Sequence, residues 1–125
     1  MGNTFTKKER LTNKILLEKI FSEGSSFSVH PFRVVFSPVK LKDGQYPAQV
    51  AISVPKKRIK SAPNRNKVKR RSKEAYRILK SKLYTHLTKN NLQYGIFFIY
   101  LDNKILSYQE IESAMESCIK KLINP

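Results

Sequence analysis

The sequence predicts a single α+β domain, on three observations. Three segments carry apolar residues at helical spacing, and three others read as strands, being alternating or continuously apolar. The chain has 125 residues, 40% of them hydrophobic, with seven phenylalanines and six tyrosines, which suffices for one core but not for two. No repeat, low-complexity tract or linker divides residues 1–125, so the domain is read as running the whole length.

The elements follow in order. Residues 1–10 are polar and read as a flexible arm, with Phe5 the one residue suited to dock. Thr12 or Asn13 caps a first helix whose apolar face is Ile15, Leu16, Leu17, Ile20 and Phe21, and Gly24 ends it. From Phe27 to Val39 the pattern is β-like, with Phe32, Val34 and Phe36 alternating with polar neighbours. Asp43-Gly44 is a hairpin signal before a second extended run, Ala48–Val54, closed by Pro55. Ser61 caps a middle helix and Pro63 fits its first turn, where amides lack intrahelical partners. Thr85–Asn91 is polar and reads as a loop. Tyr94–Leu101 is apolar throughout, as expected of a central strand covered on both faces. Ser107 and Glu110 form a capping box for a last helix with the stripe Ile111, Ala114, Met115, Cys118 and Leu122. The order is helix, two or three strands, helix, strand, helix.

Charge points to a partner. The formal net charge is +16, and from Lys56 to Lys82 thirteen lysines and arginines face a single acid, Glu74. Like charges at that density repel one another, and a polyanion that neutralises them explains their clustering. The stretch "NRNKVKRRSKEAYR", Asn64 to Arg77, is either a basic tail or a folded surface. Val68, Ser72, Ala75, Leu79 and Leu83 fall on one side of a helix with Tyr76 beside them, while Lys67, Lys69, Arg70, Lys73, Arg77 and Lys80 fan across the other. It is therefore an amphipathic helix with a basic outer face. A merely solvated face carries glutamates that pair at i,i+4, and here Glu74 stands alone. A membrane-surface helix needs a broader apolar face with aromatic anchors. A helix-turn-helix reader of DNA needs a helix where this chain has a strand ending at Pro55. Rigid cations beside an aromatic sheet favour RNA.

Catalytic chemistry is hard to find. His30 and His86 fall in a strand and a loop without a nearby carboxylate pair, and neither metal-ligand spacing nor a glycine-rich phosphate loop is present. Glu18, Glu23, Glu110, Glu112 and Glu116 occupy ordinary solvated helix positions. The one cysteine, Cys118, lies on a core face and reads as a buried, inert thiol that fits a reducing compartment. The start of the chain lacks the apolar region of a signal peptide, and the apolar run Ile96–Leu101 is too short to span a bilayer, so the expected location is cytoplasmic.

The segment "VAISVPKKRIKSAPNRNKVKRRSKEAYR" resembles the signature of the bacterial ribonuclease P protein subunit family. Ser53, Lys56 and Lys57 match the family's strand end, Arg65, Asn66, Lys69 and Arg70 its helix core, and Glu74, Ala75 and Arg77 the continuation of that helix. The stretch "RLTNKILLEKIFSEGSSF" is similar to the family's first helix and glycine turn, and "YGIFFIYL" with the capped last helix to its final strand and helix. The likeness runs from about Phe5 to Leu122. Lys67 stands where the motif has a second arginine, keeping the charge but not the planar fork. Pro55 replaces a usual serine and Ala51 a usual glycine; of two helix positions usually given to Phe, Phe21 matches and Leu17 does not.

The resemblance implies an αβββαβα sandwich with a four-stranded mixed sheet and a left-handed βαβ crossover, against the general right-handed rule. It implies a protein subunit without catalytic residues or a small-molecule ligand, whose partners are a catalytic RNA and precursor tRNA. Cleavage is then the work of the RNA, with Mg2+ held mainly by that RNA. It assigns Arg65, Asn66, Lys67, Lys69, Arg70, Lys73 and Arg77 to docking the catalytic RNA, and Phe21, Ser53, Lys56 and Lys57 to the single-stranded 5′ leader. Strand alternation adds Phe32 and Phe36 as leader contacts, with core packing as the other reading. A structural RNA-binding protein such as a ribosomal component is the alternative function, and a protein-only nuclease a third.

Overall fold

The computed structural model describes residues 5–41 and 46–124. Helix α1 spans Lys14–Glu23; Asn13 caps it by accepting the Leu16 amide at 3.1 Å, and the Gly24 amide closes it on the Ile20 carbonyl at 2.9 Å. Strands β1 (Ser25–Val29) and β2 (Phe32–Pro38) form an antiparallel hairpin turned by His30 and Pro31. Strand β3 spans Ala48–Ser53, helix α2 Ala62–Lys89, strand β4 Tyr94–Tyr100 and helix α3 Tyr108–Ile123.

The sheet order is β1-β2-β4-β3, with β4 antiparallel to β2 and parallel to β3. The strands flanking Asp43-Gly44 are therefore not hairpin partners, because β4 lies between them. The turn residues themselves fall outside the described residues. The physical reason is coverage: β4 is apolar on both faces and takes the central place, where both faces are shielded from water.

One sheet face packs against α2 and α3. Phe32, Val34, Phe36, Val50, Ile96, Phe98 and Tyr100 meet Val68, Ala75, Tyr76, Leu83, Ile111, Met115, Cys118 and Leu122 there. The other face carries α1, where buried Ile20 packs with Val35 and Leu11, flanked by Leu16, Leu17, Phe97 and Ile99. Burial pushes the Cys118 thiol up to about 12, which keeps it protonated and inert.

Three expectations are corrected. Thr85–Lys89 is not loop but the last turn of α2, held because the core stripe continues through buried Leu87. The helix ends where Asn91 takes a positive φ of 58°. The described part of the N-terminal arm is docked rather than loose: Lys7–Glu9 forms a 3-10 turn, and Leu11 donates its amide to the Val50 carbonyl at 2.9 Å. Lys80, expected on the outer arc of α2, is buried.

Gly24 shows how tightly α1 leads into the sheet. A Cβ there would lie 2.4 Å from the Ile20 carbonyl oxygen and 2.7 Å from that of Phe36, both backbone atoms without freedom to retreat. Gly24→Ala should therefore cost about 2 kcal/mol. Urea unfolding tests this through a lower midpoint at an unchanged slope.

Candidate nucleic-acid interface

The outer face of α2 is built from its core stripe outward. Buried Val68, Ser72, Ala75 and Tyr76 fix the helix's rotation, which sends Asn66, Lys69, Arg70, Lys73 and Arg77 to the other side. These five line a groove of about 440 Å³ together with Phe5, Arg10 and Glu74. Burial, then the neighbouring charges of Arg10 and Lys69, holds the Lys73 ammonium below its ordinary value. A surface that already strains against its own charge gains from anions that relieve it.

The remaining docking candidates divide. Lys67 is half-buried beside the groove. Arg65 turns back on the segment before the helix, donating from Nη1 to the carbonyls of Ile59 at 3.1 Å and Lys60 at 2.8 Å, so it braces the helix entry as well as presenting charge. Arg77 forks onto Glu74, with Nε to Oε1 at 2.9 Å and Nη2 to Oε2 at 2.6 Å. That bond holds the Glu74 carboxyl below its usual range. Any phosphate at Arg77 has to share the guanidinium with this carboxylate.

The sheet face that carries α1 is only partly covered. Register places Ser28, Arg33, Ile99 and Ser53 in one row across it, and Ser26, Val35, Phe97 and Ala51 in the next. Phe21, 47% exposed, stands edge-on to Phe97 with ring centroids 4.9 Å apart. Arg33 is exposed, Ser53 half-buried, and exposed Lys56 and Lys57 follow just past the end of β3. An accessible aromatic, flanking cations and a hydroxyl are what stacking on bases and gripping phosphates require.

Phe32 and Phe36 do not belong to this face. They point to the opposite side, where Phe32 is edge-on to Phe98 and Tyr100 and Phe36 packs on Tyr94 and Phe27. Alternation put the two phenylalanines on one face correctly, but α2 and α3 close that face. The residue between them that reaches solvent is Arg33. Phe97, Ile99 and Arg33 were missed in the sequence, although the period of two running through the buried strand β4 marks its odd-numbered positions as a separate face.

A buried polar cluster ties the N-terminal segment to α2. The Glu9 carboxylate is fully buried and accepts from the Lys80 ammonium and, at 2.6 Å, from the Tyr84 hydroxyl. Tyr76 donates to the Tyr84 oxygen at 3.1 Å. The Thr6 amide and hydroxyl also reach Glu9 Oε1, at 2.9 and 3.2 Å. Burial alone would raise the Glu9 carboxyl, but the bonds from Lys80, Thr6 and Tyr84 outweigh it and leave the group below its ordinary value.

The family model described as Ribonuclease P matches residues 5–123. The chain belongs to the ribonuclease P protein family. It is 32% identical over 117 residues to the ribonuclease P protein component of Porphyromonas gingivalis, covering 94% of this chain and 85% of the relative. In structure it is similar to the Staphylococcus aureus RNase P protein, with a TM-score of 0.71 at 24% identity over 90% of this chain and 94% of that one. A Thermotoga maritima RNase P protein aligns with a TM-score of 0.63 at 23% identity, covering 90% and 96% of the two chains. The chain is thus an RNA-binding protein component of ribonuclease P, acting in tRNA processing, and the ribosomal alternative loses its ground. The activity is that of the holoenzyme.

The buried Glu9–Lys80 pair makes two expectations. Lys80→Met leaves a buried carboxylate without its cation and should cost about 3 kcal/mol, part of which returns in the Glu9→Gln/Lys80→Met double variant. Because the folded-state carboxyl lies below its ordinary value of 4.5, its contribution is fully present above that value and lost as pH falls through the lowered one. Acid titrations of stability should therefore show a shallower acid limb for Glu9→Gln than for the parent.

Proposed function

We propose that this chain works with two separate surfaces. The outer face of α2 docks the catalytic RNA of ribonuclease P, and the open sheet face holds the 5′ leader of precursor tRNA. The RNA cuts the phosphodiester, and the protein screens repulsion between two polyanions and positions the substrate. The observation that carries this reading is the separation itself: a groove of cations on a helix, and on the far side of the sheet an exposed Phe21 on Phe97 beside Arg33. The first suits an RNA bound by its phosphates, the second a single strand whose bases are free to stack.

Magnesium belongs with the RNA in this reading. Among the described residues no three His, Cys, Asp or Glu side chains converge in a way that could hold a metal ion. The reading places the holoenzyme in the cytoplasm, and among the described residues no helix is long and apolar enough to cross a membrane.

Two measurements test the division. If Arg65, Lys67, Lys69, Arg70, Lys73 and Arg77 each neutralise a phosphate, log K for the catalytic RNA should fall against log salt with a slope of roughly −4 to −5; a slope near zero contradicts docking on α2. Phe21→Ala and Arg33→Ala should each weaken precursor tRNA binding to the holoenzyme by roughly 1 kcal/mol or more while sparing mature tRNA. Equal loss for both RNAs removes the leader from the sheet face. Cleavage assays complete the test: 5′ processing is expected from RNA with protein at low magnesium and from RNA alone at high magnesium. Specific processing by RNase-treated protein alone would defeat the assignment of catalysis to RNA.

A further inference from the structure

The N-terminal segment Phe5–Leu11 is tied down on both sides of one residue. Glu9 is fully buried on Lys80 and Tyr84 of α2, and Leu11 is buried with its amide on the Val50 carbonyl of β3. Gln49 adds a bond from Nε2 to the Lys8 carbonyl at 3.2 Å. Between two inward residues the chain turns Arg10 outward, exposed. Its guanidinium lies 5.8 Å from the centroid of the Phe5 ring, which is itself edge-on to buried Tyr76 at 5.6 Å. Arg10 lines the same groove as Lys69, Arg70 and Lys73. No carboxylate among the described residues forms an ion pair with it.

A buried ion pair is an expensive way to hold a segment, since desolvation offsets much of the attraction, and an apolar contact would bind the arm as well. What the pair adds is direction. Glu9 has to reach Lys80 and Tyr84 together, and that sets the register of the arm against α2. Arg10 then sits beside the α2 cations although it is nearly sixty residues away in sequence. Bringing a further cation against three others raises the free protein's energy, which makes sense where an anion occupies the groove.

We infer that Arg10 is a phosphate ligand of the docked RNA, and that Glu9, through its buried contact with Lys80 and Tyr84, is the residue that positions it. The inference rests on the docking role of α2 and extends that surface to a second element. Arginine suits the place, because its planar fork grips phosphate in two bonds while its charge stays within cation–π reach of the Phe5 ring.

The test is the affinity of the full-length protein for its ribonuclease P RNA across a range of salt, with Lys69→Ala as reference. Arg10→Ala should weaken binding roughly five- to tenfold and flatten the salt slope by about one contact, with an unchanged melting temperature; Arg10→Lys should keep the slope. Glu9→Gln should also weaken binding, and Arg10→Ala added to it should cost much less than it does alone. Should Glu9→Gln fail to fold, the Glu9→Gln/Lys80→Met pair takes its place. If Arg10→Ala binds with parental affinity and slope while Lys69→Ala flattens the slope, Arg10 is no phosphate ligand and α2 docking stands. If neither variant changes the slope, Arg10 is no phosphate ligand, and docking on α2 fails with it when the parent slope is itself near zero. If the Arg10 and Glu9 losses add in full, Glu9 does not position Arg10.

Discussion

The structure depends on the burial of β4 from both sides. Tyr94, Ile96, Phe98 and Tyr100 need one apolar cover, and Phe97 and Ile99 need another. The first requirement draws α2 and α3 onto one face of the sheet, and the second brings α1 onto the other. Three helices cannot cover two faces equally, so the face with only α1 stays partly open. The cleft beside Phe21 is thus a consequence of how the core is closed and not a separate construction. Gly95 shows the same economy: a Cβ there would meet the Ile20 Cδ1 atom at 2.3 Å, so the end of the Ile20 side chain from α1 fills the space against β4 that a side chain at this position would take.

The basic face depends on the same core. A helix that carries Lys67, Lys69, Arg70, Arg71, Lys73 and Arg77 repels itself, and each pair of neighbours works against folding. Burial of Val68, Ala75, Tyr76, Leu83 and Leu87 opposes that repulsion at roughly 1.5–3 kcal/mol for each large side chain. Local bonds reduce it further. Arg71 leaves the surface to donate to the Leu106 carbonyl at 2.6 Å, Arg77 is matched to Glu74, and Lys80 is withdrawn to Glu9. In the groove, Lys69, Arg70 and Lys73 form no ion pair among the described residues, in contrast to Arg77. A bound polyanion supplies the counter-charge.

Much of this was legible in the sequence, and the failures have identifiable causes. Caps Ser61 and Ser107 were visible because a side-chain oxygen three residues before a free amide is a local signal, and for the first helix the same signal narrowed the cap to Thr12 or Asn13, of which Asn13 does it. The core stripes of α2 and α3 followed from helical spacing. Periodicity gives the relative orientation of side chains on one element but does not say which face its neighbours cover, so leader contact and core packing are both open for Phe32 and Phe36 in the sequence, and their burial under α2 and α3 decides for packing. Lys80 was misplaced for a related reason: its partner Glu9 lies 71 residues away, and no local pattern announces a long-range ion pair. The Asp43-Gly44 signal suggested a neighbouring strand pair, whereas sheet order was decided by β4, whose apolar character is visible but whose position depends on both partners.

The central claim is that RNA and leader occupy opposite sides of the sheet. It is tested most directly by site-specific photo-crosslinking in the assembled holoenzyme with a precursor tRNA carrying a labelled leader. A crosslinker at Asn66, on the α2 groove, should react with the catalytic RNA whether or not precursor is present. One at Arg33, on the open sheet face, should react with the leader and fall silent when mature tRNA replaces precursor. Leader crosslinks from Asn66, or catalytic-RNA crosslinks from Arg33 that persist without a leader, would contradict the two-surface arrangement.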